Sequence, residues 1–127
     1  MTAKLEHANY TVTDPDATAA WMCDLFGWQV RWSGASKNGG HTVHVGTPEQ
    51  YVALYKPAGQ TLAPKDDTYE TAGGLNHIAV TVDDLDAMEG AIRAHGFVTG
   101  NHGDYEPGKR FYFHDTDGIE YEVVSYA

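Results

Sequence analysis

The sequence predicts an α+β fold of two βαβββ modules, and three observations point to it. First, a shift of 70 residues lays the segment from Leu5 to Ala17 on that from Leu75 to Ala87, with identities at Leu5/Leu75, His7/His77, Thr11/Thr81, Val12/Val82, Asp14/Asp84, Asp16/Asp86 and Ala17/Ala87. Seven matches in thirteen positions indicate an internal repeat. Second, with one residue removed, the register continues through Gly27/Gly96, Thr47/Thr116 and Ala53/Glu122. Third, both halves show the same succession of alternating and helical periodicities, which places helices against one face of a sheet.

Each element has a local reason. The opening strands, about Lys4–Thr13 and Asn76–Asp83, alternate and carry β-branched residues. A helix follows each, capped by Asp14 with Pro15 in its first turn, or by Asp84. Ala17, Trp21 and Leu25 recur at helical spacing in the first, and Leu85, Met88, Ile92 and His95 in the second. Gly27 and Gly96 suit the left-handed residue that ends a helix. Three strands then follow: roughly Trp28–Ser33, His41–Gly46 and Tyr51–Lys56 in the first half, and Phe97–Gly100, Arg110–His114 and Glu120–Ser125 in the second. The Gly-, Pro-, Thr- and Asp-rich stretch Pro57–Gly74 reads as a linker. The expected organisation is one domain, with module one at 1–57, a linker at 58–74 and module two at 75–127.

Composition narrows the function classes. The chain has 127 residues, 42% of them apolar and 20% charged, a balance that can close one core. Acidic residues outnumber basic ones 18 to 8, for a net charge of −10. That argues against nucleic acid or an anionic membrane surface as partner, since both require a cationic footprint. No apolar run approaches the roughly 20 residues of a membrane helix, and the first residues lack a signal-peptide pattern. With one cysteine, Cys23, no internal disulfide forms. A cytoplasmic protein is the expectation, and Cys23, on a helix, is expected to pack rather than react. Seven histidines are the compositional oddity.

Alternation decides which side chains share a face. His7, Asn9 and Thr11 project one way, as do His77, Ala79 and Thr81, while the opposite face is apolar and suits the helices. In the last strand Tyr121 and Val123 are expected under the helices, which puts Glu120, Glu122 and Val124 on the histidine side. Two imidazoles and a carboxylate compose a site for iron(II), manganese, zinc, nickel or cobalt with coordination positions left open. Arg110, Tyr112 and His114 alternate with Phe111 and Phe113 and are expected on the same side. By the offset of 69, His41 lies opposite Arg110 and is expected there too. His44 is expected on the helix side and His95 at a helix end, both structural, and His102 in a Gly-rich loop at 101–108 that reads as a lid.

Leu5-Glu6-His7, Leu75-Asn76-His77-Ile78-Ala79-Val80 and the run from Phe113 to Val123 with its Asp115-Thr116-Asp117-Gly118 turn resemble the vicinal oxygen chelate superfamily. That group includes glyoxalase I, extradiol dioxygenases, fosfomycin-resistance transferases, methylmalonyl-CoA epimerase and bleomycin-resistance proteins. The resemblance implies paired βαβββ modules in a cupped mixed sheet with helices on the convex face, around one divalent metal ion per site. Carried over residue by residue, it implies His7, His77 and Glu122 as metal ligands, with Fe(II) or Mn(II) favoured and Zn, Ni or Co as alternatives. The family's fourth position falls on Ala53, which neither binds metal nor moves a proton. This departure counts against a glyoxalase I- or epimerase-like lyase or isomerase.

The resemblance further implies Tyr112 as a phenol donating to a metal-bound substrate oxygen and His114 as a proton shuttle. Arg110, His41, Asn9, Tyr51 and Tyr55 are the expected substrate contacts. The resulting expectation is a divalent-metal enzyme acting on a small substrate held through neighbouring oxygens, with an extradiol-dioxygenase-like site favoured. A fosfomycin-type transferase ranks lower, because it would want more cations in the cup. The rival class is a metal-free binder of small molecules of the bleomycin-resistance type, which the acidic charge and fifteen aromatic side chains accommodate. A homodimer is expected, with the cup closed within one chain or by exchange of modules between two.

Overall fold

The computed structural model describes residues 1–59, 62–63 and 67–127, apart from the side chain of Lys37. The chain divides into two compact units, Met1–Pro64 and Lys65–Ala127. Part of the expected linker, at 60, 61 and 64–66, lies outside the described residues.

The first unit runs β1 (His7–Thr11), α1 (Pro15–Phe26), β2 (Gln29–Ala35), a short 3-10 turn (Lys37–Gly39), β3 (His41–Gly46) and β4 (Tyr51–Lys56). Its sheet order is β1-β4-β3-β2, with β1 parallel to β4 and the other neighbours antiparallel. The Asp14 side chain caps α1 by accepting from Ala17 N at 3.1 Å, and Pro15 occupies the first turn. Gly27 ends the helix at φ +69°, the left-handed region where a side chain would be strained. α1 packs on β2, β3 and β4; its Ala19, Trp21 and Met22 are buried, as are Val43 and Val45 on β3 and Val52 and Leu54 on β4.

The second unit repeats the plan with β5 (Ile78–Thr81), α2 (Leu85–Ala94), β6 (Thr99–Tyr105), β7 (Gly108–His114) and β8 (Glu120–Ser125). Its order is β5-β8-β7-β6, again with only the first pair parallel. Asp84 caps α2 through Ala87 N at 3.0 Å. The helix side of this sheet carries Phe111, Phe113, Tyr121 and Val123, all buried, with Phe113 stacked on Tyr121 at 5.3 Å.

Three strand limits agree with the sequence reading, those of β3, β4 and β8. The opening strands are shorter than expected because their outer residues have no ladder partner on β4 or β8. The expected lid does not exist. Residues up to Tyr105 form β6, paired to β7 by Gly103↔Arg110, Asp104↔Lys109 and Tyr105↔Gly108. Glycine and asparagine there accommodate a bulge between Gly100 and Gly103, where Asn101 takes φ +52°, rather than a loop. No helix among the described residues is long and apolar enough to cross a membrane.

Candidate functional site

The polar faces of the two units carry the candidate residues, and each is built by strand register. In the second unit Glu122 on β8 lies between Ala79 of β5 and Tyr112 of β7. His77, one residue ahead of β5, reaches it: His77 Nε2 stands 3.0 Å from Glu122 Oε1. Arg110 Nη1 donates to the other oxygen, Oε2, at 2.9 Å. Arg110 and Glu122 are 12% and 9% exposed, so the pair is largely withdrawn from water. The guanidinium also lies over the Tyr105 ring at 4.8 Å. Its Nε is buried with no hydrogen-bond partner among the described residues.

The Tyr112 and His77 rings are nearly perpendicular, with their centres 5.8 Å apart. Burial pushes its phenol above the ordinary value; the Glu122 and Tyr105 neighbours add to this and Arg110 opposes it. The hydroxyl is therefore protonated at neutral pH and able to donate. His114 is more than half exposed, with Nε2 3.3 Å from Glu120 Oε2. Glu120, which sequence reasoning placed on this face without assigning it a role, is a hub. It lies 3.8 Å from His77 Nδ1, pairs with His114, and accepts from the Tyr69 hydroxyl. The signal was its two-residue spacing from Glu122.

In the first unit His7 is in register with Tyr51, and Asn9 with Ala53, which is fully buried. Four rings from the four strands form a tier: Trp32 lies 5.1 Å from His44, His44 lies 4.6 Å from Tyr51, and Tyr51 lies 4.8 Å from His7. Arg31 sits 4.4 Å from the Tyr51 ring centre. The Tyr51 hydroxyl donates to Glu6 Oε1 at 3.1 Å, and His7 Nδ1 meets the same oxygen at 3.0 Å. These bonds, that from His7 foremost, hold the Glu6 carboxyl below its ordinary range. Burial, followed by the His7 and Arg31 charges, lowers the His44 imidazole. Asn9 is exposed on this face, and Tyr55 is half-buried in register with Thr11 and Thr42.

Two histidine assignments reverse. His41 is on the helix side, with Nε2 3.2 Å from Asp16 Oδ1 in the first turn of α1. His44 is on the polar face, directly opposite Ala53. The cause is one residue in a turn. The β3–β4 connection spans 47–50 and the β7–β8 connection 115–119, so the second is one residue longer. The offset between modules is therefore 68 across β3 and β7, where His44 matches Tyr112, and 69 across β4 and β8. A one-residue slip exchanges the two faces of a strand. His102 likewise lies on the helix side, with Nε2 2.6 Å from Glu89 Oε2 of α2. His95 caps the end of α2, where it was expected, and stacks on Phe97 at 5.4 Å. Cys23 is a free, half-buried thiol on α1.

Two neighbouring side chains offer donor types that suit a divalent cation. His77 Nε2 and Glu122 Oε1 are an imidazole and a carboxylate donor at 3.0 Å. Adjacent ligands of an octahedral ion with bonds of about 2.1 Å stand about 3 Å apart. Arg110 on Oε2 leaves Oε1 for single-oxygen ligation. Within either unit, among the described residues, no three His, Cys, Asp or Glu side chains gather at one point.

The sequence model of the Glyoxalase/Bleomycin resistance protein/Dioxygenase superfamily matches residues 4–123. No curated protein matches the chain. Among solved structures, a glyoxylase/bleomycin resistance protein/dioxygenase domain from Frankia sp. EAN1pec is 22% identical, with a TM-score of 0.81 and 98% of each chain covered. The fosfomycin resistance protein FosX from Listeria monocytogenes, in complex with Mn(II) and sulfate, is 22% identical at a TM-score of 0.72, covering 98% of this chain and 93% of that one. TnmS3, an antibiotic-binding protein from Streptomyces sp. CB03234, is 16% identical at a TM-score of 0.73, covering 99% and 98%. At these identities the likeness is one of fold.

Proposed function

We propose that this chain, which belongs to the Glyoxalase/Bleomycin resistance protein/Dioxygenase superfamily, is a divalent-metal enzyme acting on a small substrate through two neighbouring oxygens. The observation that carries this reading is the approach of His77 Nε2 to Glu122 Oε1, with Arg110 fixing the far oxygen. By the resemblance to the superfamily, His7 would join His77 and Glu122 as a metal ligand. This two-histidine, one-carboxylate set leaves open positions, as iron(II) and manganese sites require. Mn(II) in FosX supports a metal at this kind of site; zinc, nickel and cobalt remain alternatives. A metal held by these residues would supply Lewis acidity to the substrate oxygens.

The chain's own groups do the rest. The Tyr112 phenol, kept protonated by burial, donates to a substrate oxygen beside His77. His114, exposed and backed by Glu120, exchanges a proton with solvent or substrate. His44 takes the place of His41 beside Asn9 as a polar contact on the first unit's face. Alanine at position 53 supplies no fourth ligand, which favours an extradiol-dioxygenase-like reaction over a glyoxalase I- or epimerase-like one. A cytoplasmic homodimer belongs to the same reading, and a monomer by light scattering at micromolar concentration would count against that part.

The test is metal analysis. Protein prepared without chelator and offered iron, manganese, zinc, nickel and cobalt in turn should take up one equivalent per site. The variant H77A should lose it while keeping its far-ultraviolet circular dichroism. Failure to bind any of the five overturns the enzyme reading.

A second reading, a binder without chemistry, is favoured by the ring tier. Trp32 is 48% exposed at its outer end, on the edge strand β2. Stacked rings of this kind hold flat ligands, and TnmS3 is an antibiotic-binding relative in fold. Ligand binding equal in metal-loaded and chelator-treated protein would select this reading.

A further inference from the structure

We propose that Glu6 and Asn76 are positioning residues, which set the ring nitrogen that His7 and His77 offer to a metal. The inference rests on the metal-site reading above. Glu6 and Asn76 hold equivalent places, each immediately ahead of a candidate ligand histidine at a strand entrance. In both units the side-chain oxygen of this preceding residue meets the histidine Nδ1, at 3.0 Å for Glu6 and 2.5 Å for Asn76.

Successive side chains along a strand point to opposite faces, so the contact does not follow from adjacency alone. It arises because both residues lie just outside the paired ladder. The side chains differ chemically, yet the geometry is the same, which marks the place rather than the residue type as the common feature.

The chemistry has one direction. A carboxylate or amide oxygen only accepts, so the Nδ1 that faces it carries a proton, and Nε2 is the nitrogen available to a metal. At His77, Nε2 is turned to Glu122 Oε1, itself an acceptor, so without a metal it donates to that oxygen, and a metal would take the place of this proton. Each acceptor is held in turn by its surroundings or reinforced by them. The Tyr51 hydroxyl anchors Glu6 at 3.1 Å, and Glu120 Oε1 adds negative charge 3.8 Å from His77 Nδ1. Tyr51 and Glu120 are themselves equivalent, each opening the strand that pairs with the histidine's own. Fixing the tautomer and the ring angle in advance removes an ordering cost that metal binding would otherwise bear.

The experiment uses the full chain labelled in its histidine rings and loaded with zinc, which is diamagnetic. The ring carbon shifts should report Nε2 ligation with Nδ1 protonated at both His7 and His77. E6A and N76A should each weaken zinc binding by about 10- to 100-fold, whereas E6Q and N76D, which keep an oxygen at the same place, should stay within about threefold of wild type. Nδ1 ligation, or wild-type affinity in both alanine variants, overturns the proposal and leaves the metal site standing. If wild type binds no zinc, the metal reading fails instead. The neutral His7 ring of the zinc-free protein then decides the remaining claim: Nδ1–H in wild type and Nε2–H in E6A support it, and one tautomer in both overturns it.

Discussion

Arg110 holds Glu122 by one oxygen at 2.9 Å and leaves the other facing His77. The pair is mostly buried, so removing one partner strands the other. R110A should destabilise the protein by about 2–3 kcal/mol in urea titrations, the range for a hydrogen bond to a charged group left unmade. The double variant R110M/E122L should recover most of that loss, because an apolar pair replaces a desolvated ionic one. It should also abolish metal uptake, which separates the structural part of Glu122 from its part as ligand.

His41 and His44 make opposite predictions. His41 is engaged with Asp16 on an exposed helix start, and such a pair contributes about 0.5 kcal/mol or less. H41A should therefore leave metal affinity and ligand binding unchanged in calorimetry. H44A removes the middle of the ring tier and should weaken binding of any ligand that stacks there.

Asp115 organises the turn before β8. It is 7% exposed, accepts from Asp117 N at 2.9 Å and Ile119 N at 3.0 Å, and receives the Tyr121 hydroxyl at 3.2 Å. D115A leaves these donors unmet and should cost about 2–3 kcal/mol, whereas D115N keeps the oxygen and should be mild. Burial raises the Asp115 carboxyl, and the bonds from Ile119, Asp117 and Tyr121 only partly oppose this. Its stabilising contribution is complete below the unfolded aspartate value and is lost as pH rises through the raised folded one. Melts across that window should show D115N gaining on wild type as pH increases.

Glu89 behaves in the opposite sense. Burial acts to raise its carboxyl, but hydrogen bonds from Thr99 and His102 with the His102 and Arg93 charges outweigh it and lower the value. Stability from a lowered carboxyl is present above the unfolded glutamate value and lost as pH falls through the folded one. E89Q should therefore flatten the acid side of the stability profile, read by thermal melts. An unchanged acid limb would show that the α2–β6 clasp contributes nothing there.

The repeat, the caps at Asp14 and Asp84, the end at Gly27 and the limits of β3, β4 and β8 were all legible in the chain, since each depends on neighbours in sequence. So was the side of the sheet that carries His77 and Glu122, because period two is local. The lid expected at 101–108 was illegible, because glycines that suggest a loop also allow a bulged strand, and only pairing with β7 distinguishes them. The faces of His41 and His44 depended on where one residue of the repeat was lost. Sequence identity is too sparse across β3 to say; the hydrogen-bond register to β4 says it directly. What the sequence determined by itself was therefore the kind of fold and the side of the sheet on which His77 and Glu122 lie. The tertiary structure decided their partners: Arg110 and His77 on Glu122, Glu120 as a hub, and Glu6 and Asn76 on the histidines. Such contacts depend on strand register and side-chain reach, neither of which is a property of any residue alone.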